Sequence, residues 1–276
     1  PHFDRPVSPG NTDTCVVSLR FGPSGTKPSL LAQDVFNNWM RAWPPELHWD
    51  DRRIVGTAYL ASSPQGDAHD SGDYANNPRR YFNDSNPADF DIRTSSGLAD
   101  FQKRILQQAF DNVENLKRLS AQGLITWDIE GEQFPQTISY VCEPDAIASV
   151  APEMESAIDD ESSPYNRMKL DDAYFKIIHE AGFRIGVCVR PQHFSLNADG
   201  TANQLHLSAV QIPDELIHKI RYAHDRWGAT IFYIDSTVES SGAVLDASIF
   251  QKVASAFPDS LLIPEEVTPK HYAYVG

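Results

Sequence analysis

The chain is short of cysteine, of basic residues and of long apolar runs, and each shortage removes a class of function. Three cysteines in 276 residues cannot build a disulfide framework, and no CxxC pair is present. Two of them, Cys15 in CVVSL and Cys188 in IGVCV, stand in apolar runs, where free cysteine behaves as a small buried hydrophobe. Lys and Arg number 23 against 38 Asp and Glu, a formal net charge of −15. Such a surface repels phosphate backbones and anionic lipid heads, and no basic cluster offsets it, so neither nucleic acid nor membrane is an expected partner. No apolar run approaches the ~20 residues of a membrane helix. The opening PHFDRPVSPG has no basic n-region and no apolar core, so no signal peptide is expected in this chain. A composition rich in Asp, Asn, Ser and Pro but poor in Lys suits an extracellular or periplasmic protein. Glycine-rich phosphate loops, HExxH or HxH metal motifs and the GxSxG elbow are also missing, so no cofactor and no metal is expected.

What remains is ordinary globular chemistry. Hydrophobic residues make up 41%, and glycine lifts the apolar share to about 46%, enough to bury a substantial core. Six short runs read as strands, at 14–21, 54–60, 123–129, 184–190, 229–235 and 260–264. Several are almost continuously apolar, as strands buried on both faces are. Tyr272–Val275 offers the start of a seventh. Apolar spacings of three and four predict helices over 98–119, 169–181, 213–227 and 246–257, with a weaker pattern at 30–41. Strand and helix alternate, which predicts a parallel sheet with helices outside it. The helix-to-strand links are short, whereas the strand-to-helix loops at 61–96, 131–167 and 191–211 are long. That asymmetry is the one a (β/α)8 TIM-type barrel shows, with its active face built from the long loops. Eight strands are needed and six are firm, so the barrel is expected to be incomplete or truncated toward its C-terminus. No linker interrupts the pattern, and residues 1–276 read as one barrel domain.

On this scheme acids gather where strands end. The third strand closes with TWDIEGE, where Asp128, Glu130 and Glu132 share one face as long as the chain stays extended. The fifth closes on Asp235, and the sixth on Glu265 and Glu266, which point to opposite faces if extended. The fourth adds Arg190, Gln192 and His193. A carboxyl ending a buried apolar strand is poorly solvated, so one acid can stay protonated as a donor while another acts as nucleophile or base. Two such groups across a cleft suit hydrolysis of a glycosidic bond, with separations of roughly 5–5.5 Å for retention and 6.5–9.5 Å for inversion. Trp127, Tyr233 and Tyr59 lie in strands, and Tyr74, Tyr81, Phe82 and Phe134 in the long loops, where rings can stack on sugar faces.

The segments AGFRIGVCVRPQHF and RWGATIFYIDST resemble glycoside hydrolase barrels of the α-galactosidase and α-glucosidase type. Those carry a strand of the form G-Lys/Arg-hydrophobic-G-hydrophobic-W-x-x-P, then W-G-hydrophobic-[DT]-x-hydrophobic-K-x-D. Arg184–Pro191 corresponds to the first element and Trp227 through Asp235 to the second, with Tyr233 where the family has Lys. The resemblance implies a retaining enzyme with Asp235 as nucleophile and Glu265 or Glu266 as the nearest candidates for acid/base. The closing DxE of Asp128-Ile129-Glu130 is similar to the end of the family eighteen chitinase motif, which implies Glu130 as proton donor. The chain as a whole is similar to uncharacterised bacterial glycosidase-like proteins. The expected function is therefore a glycoside hydrolase acting on a poly- or oligosaccharide, with Trp127, Arg190, Gln192, His193, Tyr233 and Tyr59 as substrate contacts. The alternatives are a non-catalytic carbohydrate-binding barrel, or a metal-dependent lyase or phosphodiesterase using Asp128, Glu130 and Glu132 for a hard cation.

Overall fold

The computed structural model describes residues 9–10, 12, 17–61, 79, 81–82, 91–131, 141–198 and 202–276. The chain divides into two compact units, 1–44 and 45–276. The first holds two helices, α1 (Pro28–Leu31) and α2 (Gln33–Ala42), and an Arg20–Asp34 ion pair at 2.9 Å. The strand expected at 14–21 is absent over its described part. Val17, Leu19 and Phe21 are exposed and pair with no other strand, and an apolar run without an edge to pair with has nothing to hold it extended.

The second unit is built on five parallel strands: β1 (Val55–Tyr59), β2 (Gly123–Trp127), β3 (Arg184–Val189), β6 (Ala229–Ile234) and β7 (Leu261–Pro264), in the order β1-β2-β3-β6-β7. The two missing numbers belong to a small antiparallel hairpin, β4 (His193–Leu196) with β5 (Ala202–Leu205). Each sheet strand lies beside its predecessor in the sheet, and the order never doubles back as it does in a doubly wound fold. The helices α3 (Ser95–Leu119), α5 (Leu170–Glu180), α6 (Ile212–Trp227) and α7 (Ala247–Ala256) pack against one another in sequence as one layer; the short α4 (Ile147–Val150) precedes α5. This layer covers one face of the sheet. A Cβ added to Gly56 would meet Leu116 of α3 at 2.7 Å, and Thr126 of β2 shares a hydrogen bond of 3.3 Å with Tyr174 of α5.

The other face carries Ile125, Trp127, Cys188 and Ile231, covered in part by Trp49 and Cys142. Tyr59 pairs with Trp127 in register, and Cys188 with Tyr233. The small Cys188 lets the Trp127 and Tyr233 rings approach to 4.8 Å across it, while Tyr59 stacks on Trp127 at 5.3 Å. Helices end where their sequences say they should. Thr94 caps α3 by accepting from Gly97 N at 3.1 Å, and Gly228 ends α6 in the left-handed conformation (φ +69°) that glycine adopts without strain. At the N-terminal edge of the sheet, Asp51 joins Arg53 at 2.7 Å and Arg184 at 2.6 Å, a purely structural tie.

One further expectation is corrected here. Residues 272–275 form no strand: His271–Ala273 is a 3-10 turn, because the buried His271 is fixed by the Leu245 carbonyl at 3.0 Å and the Thr268 N–H at 3.0 Å. The loop 191–211, expected only as a long strand-to-helix connection, contains the β4–β5 hairpin.

Candidate active site

All five sheet strands are parallel, so their C-terminal ends share one edge, and the acids singled out above stand there. The chain leaves β2 through a tight turn instead of staying extended. Asp128 has φ +58°, and Gly131 N donates to its carbonyl at 2.9 Å. The one-face alternation of Asp128, Glu130 and Glu132 therefore does not occur, and Glu132 lies outside the described residues. The turn is nonetheless built to hold its acids inside. The fully buried Tyr81 donates from its hydroxyl to the Ile129 carbonyl at 2.8 Å, and Asp128 and Glu130 are 2% and 1% exposed.

Glu130 is the most distinctive group of the edge. Its Oε1 is buried without a hydrogen-bond partner among the described residues. Burial pushes its carboxyl up to about 8, and Asp145 adds to the rise; backbone N–H groups and Lys219 pull the other way. At neutral pH it is a carboxylic acid, able to give a proton.

Asp235 follows β6, its N–H donating to the Val189 carbonyl at 2.9 Å. Its Oδ2 receives both Nε and Nη2 of Arg190, the residue that ends β3. The other arm of the guanidinium, Nη1, donates to Gln204 on β5 at 3.0 Å, so the hairpin serves to aim Arg190. Gln192 donates to the Ser236 carbonyl at 3.1 Å. Glu265 accepts from Ser236 N at 2.8 Å, and Glu266 from Thr237 N at 3.1 Å and Thr237 Oγ1 at 2.7 Å. Burial raises the Glu265 carboxyl, with Asp235 and Glu266 nearby adding to it. Tyr233 is pushed up to about 12 by burial and then by Glu265 and Asp235. His193 stands apart: it is half-exposed and pairs with Glu215 of α6 at 3.1 Å.

Beneath the acids lies a charge that sequence reading missed. Lys219 of α6 is fully buried, and its Nζ donates to the carbonyls of Arg190 (2.9 Å) and Gln192 (2.6 Å). It also pairs with Glu143 at 2.6 Å and Glu215 at 3.3 Å. Burial raises Glu143 to about 9, outweighing the attraction of Lys219. The spacing Leu216, Lys219, Ile220, Ala223 already places this lysine on the apolar stripe of α6. Glu143 has no comparable marker. Among the described residues no group of three or more His, Cys, Asp or Glu is arranged to hold a metal ion. Two larger grooves lie away from this edge, one of about 590 Å³ between β1 and α3 and one of about 610 Å³ between α3 and Ile158–Glu161. Neither holds any of the strand-end acids; both are seams beside α3. Much of the loops leaving β1 and β2 falls outside the described residues.

No family model matches the chain, and no curated protein matches it in sequence. Solved structures similar to it include the maltogenic α-amylase AmyB from Thermotoga neapolitana, at 10% identity over 81% of this chain and 48% of that one, TM-score 0.42. The α-N-acetylgalactosaminidase NagBb from Bifidobacterium bifidum matches at 13% identity over 81% of this chain and 35% of that one, TM-score 0.42. An α-amylase from Geobacillus thermoleovorans, bound to acarbose, matches at 10% identity over 78% and 47%, TM-score 0.37. The chain spans less than half the length of each. At such identities function has to be read from the site's own residues.

Proposed function

We propose that this protein is a glycoside hydrolase of the β/α-barrel type, acting on a poly- or oligosaccharide with Glu130 as proton donor and Asp235 as its anionic partner. The observation that carries this reading is Glu130, a carboxyl raised to about 8 by burial at the C-terminal end of a parallel strand. Hydrolysis of a glycosidic bond needs one acid that keeps its proton at neutral pH and one carboxylate that does not share its environment. Asp235 supplies the second, its charge compensated by the Arg190 guanidinium. Glu130 protonates the leaving oxygen, and Asp235 takes a proton from the water that attacks the anomeric carbon on the opposite face. Glu130 follows β2 and Asp235 follows β6, with β3 between them. With a whole strand between them the two acids are expected to be farther apart than a pair on neighbouring strands, which favours inversion through an intervening water over retention. Tyr59, half-exposed beside the buried Trp127, offers a ring against which a sugar face can stack. The enzyme works outside the cytoplasm.

A second reading keeps Asp235 as nucleophile with Glu265 on the adjacent strand, and the raised Glu265 carboxyl favours it. Neighbouring strands bring the two acids closer and imply retention. Product stereochemistry separates the readings. A panel of oligosaccharides and aryl glycosides is screened with wild type, Glu130→Gln and Asp235→Asn, and the first anomer released is identified by NMR. The Glu130 reading expects an inverted product, a loss of ~10²–10⁴-fold in kcat/KM for Glu130→Gln, and a wild-type rate that declines above pH 8. Full activity in Glu130→Gln would remove it from the donor role. Sugar binding without hydrolysis across the panel would favour a carbohydrate-binding barrel. Activity abolished by a chelator and restored by a divalent ion would favour the metal-dependent lyase or phosphodiesterase.

A further inference from the structure

Cys142 and Cys188 are both buried, and their sulfurs stand 2.8 Å apart. Unbonded heavy atoms rest at ~3.5–4.0 Å, so the two are well inside ordinary contact and only about 0.8 Å beyond a covalent S–S bond. A thiol is a weak donor and a weak acceptor, which does not account for so close an approach. Both side chains belong to the cluster with Ile125, Trp127 and Ile231 on the open face of the sheet. Cys142 is reached through a left-handed backbone step, φ +50°, that returns the chain to β3 at this point.

We propose that Cys142 and Cys188 form a structural disulfide that ties residues 141–143 to β3 beneath the strand-end acids. The bond forms by exchange with a low-molecular-weight disulfide such as oxidised glutathione. One cysteine thiolate attacks a glutathione sulfur, expelling one glutathione thiolate and leaving a mixed disulfide. The second cysteine attacks the protein sulfur of that mixed disulfide, closing the S–S bond and expelling the second glutathione. Two cysteine thiols lose two protons and two electrons, and one oxidised glutathione becomes two reduced ones. The step belongs to folding. In the finished structure burial raises Cys142 to about 11 and Cys188 well above its ordinary value, so the attacking thiolate is scarce. The link also has a place in the site. The Val141 carbonyl accepts from Gln204 at 3.3 Å, Gln204 accepts from Arg190, and Glu143 pairs with Lys219.

The test is to refold the denatured chain in a glutathione redox buffer, alkylate all remaining thiols in denaturant, and map the digest by mass spectrometry. The wild type should yield a peptide pair joined between Cys142 and Cys188, lighter by two hydrogens than the reduced pair, with Cys15 alkylated. C15S should yield the same pair and no alkylated cysteine. Folded protein should resist dithiothreitol at least 100-fold longer than protein in denaturant. Three alkylated cysteines after oxidative refolding, or Cys15 joined to either partner, overturns the assignment. None of these outcomes depends on whether the protein hydrolyses a glycan.

Discussion

Replacing Glu130 by Gln should raise stability by an amount that grows with pH. The carboxyl is held up to about 8 against an ordinary 4.5, chiefly because burial penalises its charged form. Between those values the unfolded chain has released this proton while the folded chain keeps it. The unfolded state then binds fewer protons, so stability falls as pH rises, by ~1.4 kcal/mol per pH unit. The contribution is fully present below 4.5 and is gone once pH has passed through 8. Integrated over that interval the fall is roughly 5 kcal/mol. Glutamine keeps the shape and has no such proton to lose. The difference between Glu130→Gln and wild type should be flat below pH 4.5, reach about 3 kcal/mol near pH 7 and level off above pH 8 at ~5 kcal/mol. Urea unfolding of both proteins in one buffer series from pH 4 to 9 measures it. Taking the difference cancels Glu143 and Asp171, which burial raises to about 9 and about 7. A difference independent of pH, or one that shrinks as pH rises, would mean that Glu130 is ionised in the fold. The donor role would fall with it.

Three more outcomes are expected. Lys219→Met should lower unfolding free energy by about 1–3 kcal/mol, because it leaves the carbonyls of Arg190 and Gln192 without their donor; an unchanged midpoint in urea unfolding would show that the lysine is dispensable. Gly131→Ala should lose at least ~1–2 kcal/mol from its left-handed backbone alone, and more from a Cβ only 2.4 Å from Arg79 Cβ; an unchanged unfolding midpoint would contradict the turn described after β2. The oxidised protein should exceed C142A/C188A by about 4 kcal/mol in the chain-entropy account, given the 46-residue separation of the cysteines; equal midpoints with and without reductant would argue against the cross-link.

The sheet was legible because strands buried on both faces carry their own mark. GLITW, RIGVCV and ATIFYI read as apolar runs and became β2, β3 and β6 within a residue or two of the expected bounds. The four long helices were equally plain from their three- and four-residue spacing. The misreadings share a cause. TCVVSLRF, over its described residues 17–21, and YAYV are apolar enough for strands, but a strand exists only where a neighbour offers an edge, and local composition does not contain the neighbour. The β4–β5 hairpin was missed for the opposite reason, since HFSL and ANQL are too short and too polar to stand out. Its Asn-Ala-Asp-Gly connection was the available turn marker. The site divides in the same way. Asp128, Glu130, Arg190 and Asp235 follow from strand ends, a local property. The Glu143–Lys219 pair and the approach of Cys142 to Cys188 join residues 76 and 46 positions apart, and only the fold puts them together.

That tertiary layer explains why the acids at this edge are not interchangeable. Asp235 pairs with Arg190, and Glu143 and Glu215 with Lys219, while Asp128, Glu130, Glu265 and Glu266 stand at the strand ends beside them. The buried ones, Asp128, Glu130, Glu143 and Asp235, cannot all stay charged in so little water, and which of them keeps its proton depends on the cations and on burial. Arg190 gives both Nε and Nη2 to Asp235 and Nη1 to Gln204. Lys219 divides its three hydrogens among two carbonyls and the acids Glu143 and Glu215, so it weakens the effect of burial on Glu130 without cancelling it. Glu265 and Glu266 reach backbone N–H groups at the rim instead. Glu130 is thus an acid that the turn buries and that Lys219 only partly compensates. Its protonation follows first from burial, which Lys219 weakens without cancelling, so a variant that opened the turn to water should lower its pKa and shift any rate that depends on its proton to lower pH.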